Sequence, residues 1–148
     1  MNDFRIDSFE KVFAASLDEI EEIDKNFPEL SDNQRLRAQQ LLKNTHDNKE
    51  RIENSIRTYS ENWSYERIGK VEIIILSLGI SELIMDLTPK KVIISEWVKL
   101  CDKHSSSQSA KFVNGILNTI SENINLSLIH ISEPTRPRLI SYAVFCLK

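Results

Sequence analysis

The chain has 148 residues, a formal net charge of −3 at pH 7 and only three glycines, each of them inside a helical pattern. These features exclude a glycine-rich phosphate-binding loop. The opening residues MNDFRID are acidic where a secretory signal would be basic, and the most apolar run, residues 71–84, is too short and too interrupted to span a membrane. We therefore expect one compact domain in the cytoplasm, with no membrane partner.

The first predicted helix covers about residues 8–27, because its apolar residues recur every three or four positions. Asp7 and Glu10 form a possible capping box at its start, and Pro28 ends it. The apolar stripe consists of Phe9, Val12, Phe13, Leu17, Ile20 and Ile23. We expect this stripe to face the core.

Ser31 and Gln34 form a second capping box, which starts a long and more exposed amphipathic helix that reaches Tyr59. The next predicted helix, residues 63–87, carries two apolar stripes and should therefore be surrounded by other helices. One stripe is Ile68, Val71, Ile75 and Leu78, and the other is Ile73, Leu76, Ile80, Leu83 and Leu87. We expect this helix to be the central element of the fold.

Two shorter helices are predicted after Pro89. The first is expected to be capped near Ser95, and its apolar face is formed by Ile94, Trp97, Val98 and Cys101. The second spans about residues 108–124, and its stripe is Phe112, Val113, Ile116, Leu117 and Ile120. Within it, Gly115 is predicted to permit close contact between helices, at a cost of about 1 kcal/mol of helix propensity relative to Ala.

The order of motifs in the second half is that of a known family. The segments NWSYERIGKVEIIILSLGISELI, VIISEWVKLCDKH and SAKFVNGIL follow one another, with a proline after the first. In this order and spacing they resemble the second half of the NusB family of bacterial transcription antitermination factors, over about residues 62–124. The matching residues are Trp63, Arg67, Ile68, Val71, Glu82, Leu83, Pro89, Glu96 and residues 111–117.

The resemblance implies an all-α fold of two small helical bundles that share the central apolar helix. Residues 1–61 would form the N-terminal half, and residues 62–125 the C-terminal half. It implies an RNA-binding adaptor that has no cofactor. Together with the ribosomal protein NusE, this adaptor would bind a single-stranded ribosomal RNA leader element. The assembly would join the transcription elongation complex and keep RNA polymerase transcribing ribosomal RNA operons.

The resemblance also indicates RNA-binding residues, namely Arg5, Lys11, Arg67, Lys111 and Phe112. Lys111 beside Phe112 offers a cation for a phosphate and a ring on which a base can stack. The alternative is that Phe112 belongs to the core and Lys111 is its solvated neighbour. We expect the start of the last helix to lie beside Arg5, so that the two form one docking surface.

Departures from the family pattern concern charge and size. The family's first helix has the form Arg-x-x-Ala-x-Gln-x-Leu-(Tyr/Phe) with basic flanks, whereas RIDSFEKVF has Ser8, Glu10 and the acidic flanking residues Asp3 and Asp7. Two further departures are Ser77, where the family usually has Arg, and Trp97, where the family usually has the small residue Ala. Because phosphate contact depends on positive charge, a helical adaptor that has lost RNA binding stays an open alternative.

Other chemistry has fewer candidates. Glu72 interrupts the apolar central helix, where the family presents acids to NusE, so it is the candidate partner contact; the alternative is an intrahelical ion pair. The three histidines are scattered and lack the spacing of a metal site. Cys101 lies on an apolar stripe, which favours an inert thiol over a nucleophile. We therefore predict neither metal nor catalysis.

Residues 126–148 differ from the rest, with two prolines, one acid and no helical stripe. LSLIHISEPTR resembles the in-frame translation of a sequencing-library transposon adapter, and ISYAVFCL resembles the flow-cell sequence that follows it. The three codons between them leave room for a sample index. We expect this tail to be an artefact outside the fold, in preference to a marginal C-terminal hairpin, which leaves −5 on residues 1–125.

A second functional class stays open. A NusB-like domain also precedes certain ribosomal RNA cytosine methyltransferases, so a shortened chain of that kind would lack its enzyme. The intact motif KFVNG, with Lys111 at its first position, favours the free antitermination factor.

Overall fold

The computed structural model describes the backbone of residues 3–60 and 67–132, and side chains within these ranges as far as Ile124. In this described part the chain forms helices without strands, which confirms the all-α prediction. The helices are α1 (Phe4–Ala14), a 3-10 helix (Leu17–Glu22), α2 (Asp32–Asp47), α3 (Lys49–Tyr59), α4 (Lys70–Met85), α5 (Lys90–His104) and α6 (Ser107–Ser132). Trp63 lies outside the described residues.

The predicted central helix is confirmed as α4, which is apolar on all sides and contacts every other α-helix. It packs with α5 and α6, which also contact each other, and with α1, α2 and α3, of which α3 also contacts α6. Its fully buried residues include Ile74, Ile75, Leu76, Leu78, Ile80 and Leu83. Two small bundles therefore share one helix, as predicted. Across the described residues, none of the helices combines the length and apolarity required to cross a bilayer.

The first helix begins and ends earlier than predicted. It begins at Phe4, because the Asp3 side chain caps it by accepting a hydrogen bond from the backbone N–H of Arg5 at 2.9 Å. The predicted capping box of Asp7 and Glu10 is therefore wrong. The helix ends at Ala14, and the apolar stripe continues in the 3-10 helix, where Ile20 is buried.

The second helix starts as predicted and ends early. The Ser31 hydroxyl accepts a hydrogen bond from the backbone N–H of Gln34 at 3.4 Å. The Gln34 side chain does not complete the box, because its Oε1 accepts from the backbone N–H of Phe4 at 2.9 Å and ties α1 to α2. The single long helix of the prediction is divided at Asn48 into α2 and α3.

The last two helices are longer than predicted. Helix α5 begins at Lys90, directly after Pro89, whose ring fixes its backbone angle. The predicted cap near Ser95 is therefore wrong, because Ser95 lies inside the helix. The backbone of α6 stays helical through Ser132, beyond the end expected at about residue 124 and into the segment predicted to be a tail. The predicted stripe of α6 is confirmed at Val113, Ile116, Leu117 and Ile120, which are buried.

Close helix packing depends on Gly79 and not on Gly115. A Cβ atom added at Gly79 would lie 3.3 Å from Leu117 Cδ2 and 3.5 Å from Trp97 Cδ1, so its absence lets both side chains approach α4. A Cβ atom at Gly115 would have no neighbour within 4 Å, because this residue faces away from the core. The expectation for Gly115 was therefore wrong.

Candidate nucleic-acid interface

Arg5 is a buried residue with a structural partner. Its Nε and Nη2 donate to Glu82 Oε1 and Oε2 at 2.9 and 2.7 Å, and its Nη1 donates to Asp3 Oδ2 at 3.2 Å. Burial alone would lower the pKa of Arg5, but the hydrogen bond and charge of Glu82, with the charge of Asp3, raise it above the ordinary value. The expected RNA contact stays a prediction, and the side chain has a clear role in the fold.

Glu82 is the centre of a network that joins four helices. Besides Arg5, it accepts from Trp97 Nε1 at 2.7 Å and lies 3.7 Å from Arg37 Nη2. The guanidinium groups of Arg5 and Arg37 each lie 4.5 Å from the centre of the Phe4 ring. Sequence reasoning missed this network. The available signal was an arginine near the start of α1 and a carboxylate inside an apolar helix.

The start of α6 does not lie beside Arg5, which corrects the predicted docking surface. Glu72 contacts Ser105 at the start of α6, whereas Arg5 contacts Glu82. These two glutamates are ten residues apart on α4, which separates the two ends by about 15 Å. The part of α1 that approaches the junction of α5 and α6 is its middle, since the ring centre of Phe9 lies 4.8 Å from that of His104, the last residue of α5.

Beside this contact, toward the end of α1, lies a cluster that we call the basic-aromatic surface, formed by Phe13, Lys70 and His104. Phe13 is 42% exposed, so its predicted place in the core stripe was wrong. Its ring stacks on Phe9 at 5.7 Å, and Lys70 Nζ lies 4.7 Å from its centre. His104 is exposed, and so is Arg67, which lies three residues before Lys70 in the chain. Exposed rings beside cations are typical of single-strand RNA sites.

Sequence reasoning did not select Phe13 or Lys70. The signal that could have identified Phe13 is its position in the last turn of a helix shorter than predicted, where the core no longer covers every apolar residue. Lys70 follows Gly69, which caps α4, so its side chain is at the first turn of that helix. The structure therefore adds two residues to the candidate site.

Of the predicted RNA contacts, Lys111 is exposed and Phe112 is half-buried against the core. The packing of the Phe112 ring agrees with the core alternative in part, and the RNA contact of this pair stays a prediction. Lys111 opens into a groove between α5 and α6. Arg67 is exposed three residues before Lys70 of the basic-aromatic surface, whereas Lys11 is not part of that surface.

Lys11 lies in acidic surroundings. Its Nζ is 5.0 Å from the centre of the Phe27 ring, in a depression that Asp7, Glu10 and Glu29 also line. Burial, followed by repulsion from Glu10 and Glu29, raises the pKa of Asp7 above its ordinary value. A phosphate would meet three carboxylates here, so this location disfavours RNA.

Glu72 is turned inward, toward the junction of α5 and α6. Its Oε2 accepts a hydrogen bond of 2.5 Å from the Ser105 hydroxyl, and Ser109 donates a further one. Burial alone would raise the pKa of Glu72, but these hydrogen bonds and one from its own backbone N–H lower it below 4.5. No intrahelical ion pair involves Glu72 among the described residues. The carboxylate thus fixes the start of α6.

The Glu72→Gln variant should lose stability in a pH-dependent way. Because folding lowers the pKa of Glu72, its carboxylate stabilises the fold above pH 4.5, and this contribution disappears as the pH falls through the folded pKa. We expect Glu72→Gln to cost on the order of 1 kcal/mol at pH 7 and less at pH 3.5, measured by urea denaturation.

Glu122→Gln, on an exposed position of α6, is the control for this measurement. An equal cost of Glu72→Gln at both pH values would contradict the assignment, because the ionised carboxylate would then have no special role.

The remaining reactive groups do not form a site. Cys101 is fully buried, and burial, with the charges of Glu72 and Asp102, raises the pKa of its thiol to about 11. The thiol is therefore protonated at neutral pH and a poor nucleophile. Within the described ranges, no group of three or more histidine, cysteine or acidic residues is placed to hold a metal ion.

Comparisons with known proteins agree on one family. The NusB family model matches residues 2–122. The chain is 39% identical over 97 residues to the transcription antitermination protein NusB of Methylacidiphilum infernorum, covering 64% of this chain and 67% of that protein. Identity to NusB of Borreliella burgdorferi is 32% over 135 residues, covering 84% and 95%. Identity to NusB of Natranaerobius thermophilus is 36% over 86 residues, covering 57% and 62%. No solved structure matches the chain.

Proposed function

The chain belongs to the NusB family, and from this premise we propose that it acts in transcription antitermination as an RNA-binding adaptor and not as an enzyme. In this proposal it binds a single-stranded ribosomal RNA leader element together with NusE, and the pair joins the transcription elongation complex. The similarity to transcription antitermination proteins supports the process, and the geometry near the start of α6 supports the RNA contact.

The observation that carries the RNA contact is the exposed ring of Phe13 with the ammonium of Lys70 above it. A base can stack on the ring while Lys70 and Arg67 neutralise neighbouring phosphates. Lys111 and Phe112 extend this chemistry on α6. Because the whole chain is negative, such a local basic patch is what RNA binding requires. Arg5 supports the fold in this proposal and does not contact RNA.

The test is a titration of labelled single-stranded RNA from a bacterial ribosomal RNA leader, with and without NusE, at two salt concentrations. Wild-type binding should weaken with salt, by a log–log slope of about 0.7 for each phosphate contact. Phe13→Ala should cost about 1–3 kcal/mol of binding free energy for the lost stacking. Lys70→Gln and Lys111→Gln should each reduce the salt slope by about 0.7.

Two control variants match these changes in chemistry. Leu36→Ala, the control for Phe13→Ala, removes an exposed apolar side chain of α2. Lys43→Gln, the control for the lysine variants, removes an exposed cation of the same helix. Neither should alter RNA affinity. If the wild type showed no salt-sensitive RNA binding, with or without NusE, the antitermination proposal would fail while the fold would stand.

The proposed NusE contact is the region of α4 around Glu72. The Glu72 side chain is largely buried and accepts a hydrogen bond from Ser105, so in this proposal it positions the start of α6 beside the partner surface. If this is right, Glu72→Gln should weaken NusE binding more than it weakens RNA binding. Equal NusE affinity of the variant and the wild type would remove Glu72 from the interface.

We also propose that residues 1–125 form the native domain and that residues 126–148 derive from an adapter. The family match ends at residue 122, before this segment, which supports the proposal. Sequencing the genomic locus past the Asn125 codon tests it. A different native sequence should follow Asn125. A stop within a few codons would exclude the methyltransferase alternative, and a genomic copy of the LSLIHISEPTR codons would contradict the adapter origin.

A further inference from the structure

A groove with a volume of about 430 Å³ lies between α5 and α6. Its polar lining comes from Lys91, Ser95 and Lys99 on α5, and from Lys111, Asn114 and Asn118 on α6. The floor between them is apolar, and within the part of the chain that the structure describes no carboxylate belongs to the lining. The groove is thus a basic feature on an acidic protein, and its only residue in the predicted site is Lys111.

The positive charge of this groove is largely uncompensated. Among the described residues, Lys91 and Lys111 have no ion-pair partner. Lys99 Nζ lies 3.2 Å from Glu96 Oε2, one turn earlier on the same helix, and both side chains are open to solvent. Such exposed pairs contribute little, so Lys99 can exchange Glu96 for a phosphate at small cost.

The cations are spread along the groove. Lys91 and Lys99 are eight residues apart on α5, which places them about 12 Å apart along the helix. The end near Lys91 is fixed by Lys90, whose Nζ donates to the Ser121 carbonyl oxygen at 3.1 Å. This spacing suits an extended anionic chain better than a compact ligand.

The groove also offers neutral hydrogen-bonding groups. Asn118 Nδ2 donates to Asn114 Oδ1 at 3.2 Å, which orients both amides. That bond uses one donor and one acceptor, and the remaining amide groups are free to bind base edges or ribose hydroxyls. Phosphate contacts beside base-edge contacts are the two parts of single-strand RNA recognition.

We propose that this groove holds a further stretch of single-stranded RNA, beyond the segment bound at the basic-aromatic surface. The inference rests on the proposed function and extends it. Lys111 lines the groove and also belongs to the predicted RNA-binding motif, so one RNA strand can continue from the basic-aromatic surface into the groove. An acidic peptide would match the charge, but RNA is favoured because the residue shared with the motif is an RNA contact in the proposal.

The experiment uses the full chain and two probes, the leader RNA and oligouridylate. Oligouridylate lacks the leader sequence and therefore reports the groove independently of that element. The double variant Lys91→Gln/Lys99→Gln should bind oligouridylate more weakly, with a log–log salt slope smaller by about 1.4 for two lost phosphate contacts. The double variant Lys43→Gln/Lys49→Gln, on α2 and α3, removes the same charge elsewhere and should match the wild type.

The outcomes separate this inference from the proposed function. Leader RNA that does not bind the wild type would defeat the proposed function, while oligouridylate binding would still decide the groove. Oligouridylate that does not bind the wild type, or that loses equal affinity in the two double variants, would overturn the groove proposal. It would also be overturned if the groove variant bound oligouridylate normally and lost affinity only for NusE, which would make the groove a protein contact.

Discussion

Glu82→Ala is expected to lower the free energy of unfolding by about 3–5 kcal/mol, because it would leave the buried guanidinium of Arg5 without its main partner. Asp3 is partly exposed and contacts only Nη1 of Arg5, so it cannot replace two hydrogen bonds to Glu82. Trp97 would lose its acceptor in the same variant. Urea denaturation followed by circular dichroism measures the effect.

A double-mutant cycle separates the interaction energy of Arg5 and Glu82 from the cost of burying each side chain. Arg5→Met and Glu82→Met should each destabilise strongly, while the double variant should be less destabilised than the sum of the two, since neither charge is then left alone. Asp32→Ala removes the exposed partner of Arg35 and should change stability by less than about 0.5 kcal/mol. Additive effects of Arg5→Met and Glu82→Met would show that the two side chains do not interact.

Trp97→Ala is expected to cost about 3–5 kcal/mol, through the cavity left by a fully buried ring. The ring fills space that Gly79 leaves on α4, and it also donates to Glu82. Trp97→Phe keeps most of the volume and should cost about 1–3 kcal/mol for the lost hydrogen bond to the charged Glu82, whose Oε1 keeps Arg5 Nε as its other donor. Guanidinium denaturation distinguishes the two variants.

Val92→Ala on the exposed side of α5 is the control for this measurement and should change stability only slightly. A cost of Trp97→Ala below about 1 kcal/mol would contradict the burial of the ring. Because a domain is stabilised by only about 5–15 kcal/mol in total, combining Trp97→Ala with Glu82→Ala should prevent folding.

Helical periodicity was sufficient to predict the helical character of the described chain and most of the core, although not the 3-10 helix or the division between α2 and α3. The two stripes of α4 predicted its central place, because a helix that is apolar all round must be covered by others. The stripe of α6 was also correct. These predictions succeeded because burial of apolar surface is the dominant favourable term in folding and leaves a periodic pattern in the sequence.

The ends of helices were less predictable, because they depend on single side chains. Asp3 caps α1 although Asp7 had an equally suitable pattern. The break after Ala14 occurs at Ala15 and Ser16, which carry neither the glycine nor the proline that usually marks a helix end. The choice between competing caps is made by tertiary packing, which the local sequence does not contain.

The role of Arg5 was unpredictable for a related reason. Periodicity places a residue on one face of a helix, but it does not identify what lies opposite, and Glu82 is 77 residues away in the chain. The exposure of Phe13 was unpredictable for the same reason, because periodicity does not show where neighbouring helices stop covering α1. Family resemblance selected the start of α6 as the RNA contact, which stays a prediction, while contacts across helices decided which part of α1 lies near it.

The account's central claim is that RNA binds at the basic-aromatic surface while Arg5 serves the fold. The most direct measurement compares the leader RNA affinity of Phe13→Ala with that of the Arg5→Met/Glu82→Met double variant, each shown to be folded by circular dichroism. We predict a clear loss of affinity for Phe13→Ala and wild-type affinity for the double variant. Wild-type affinity for Phe13→Ala, with a loss for the folded double variant, would contradict the claim and make Arg5 the RNA contact.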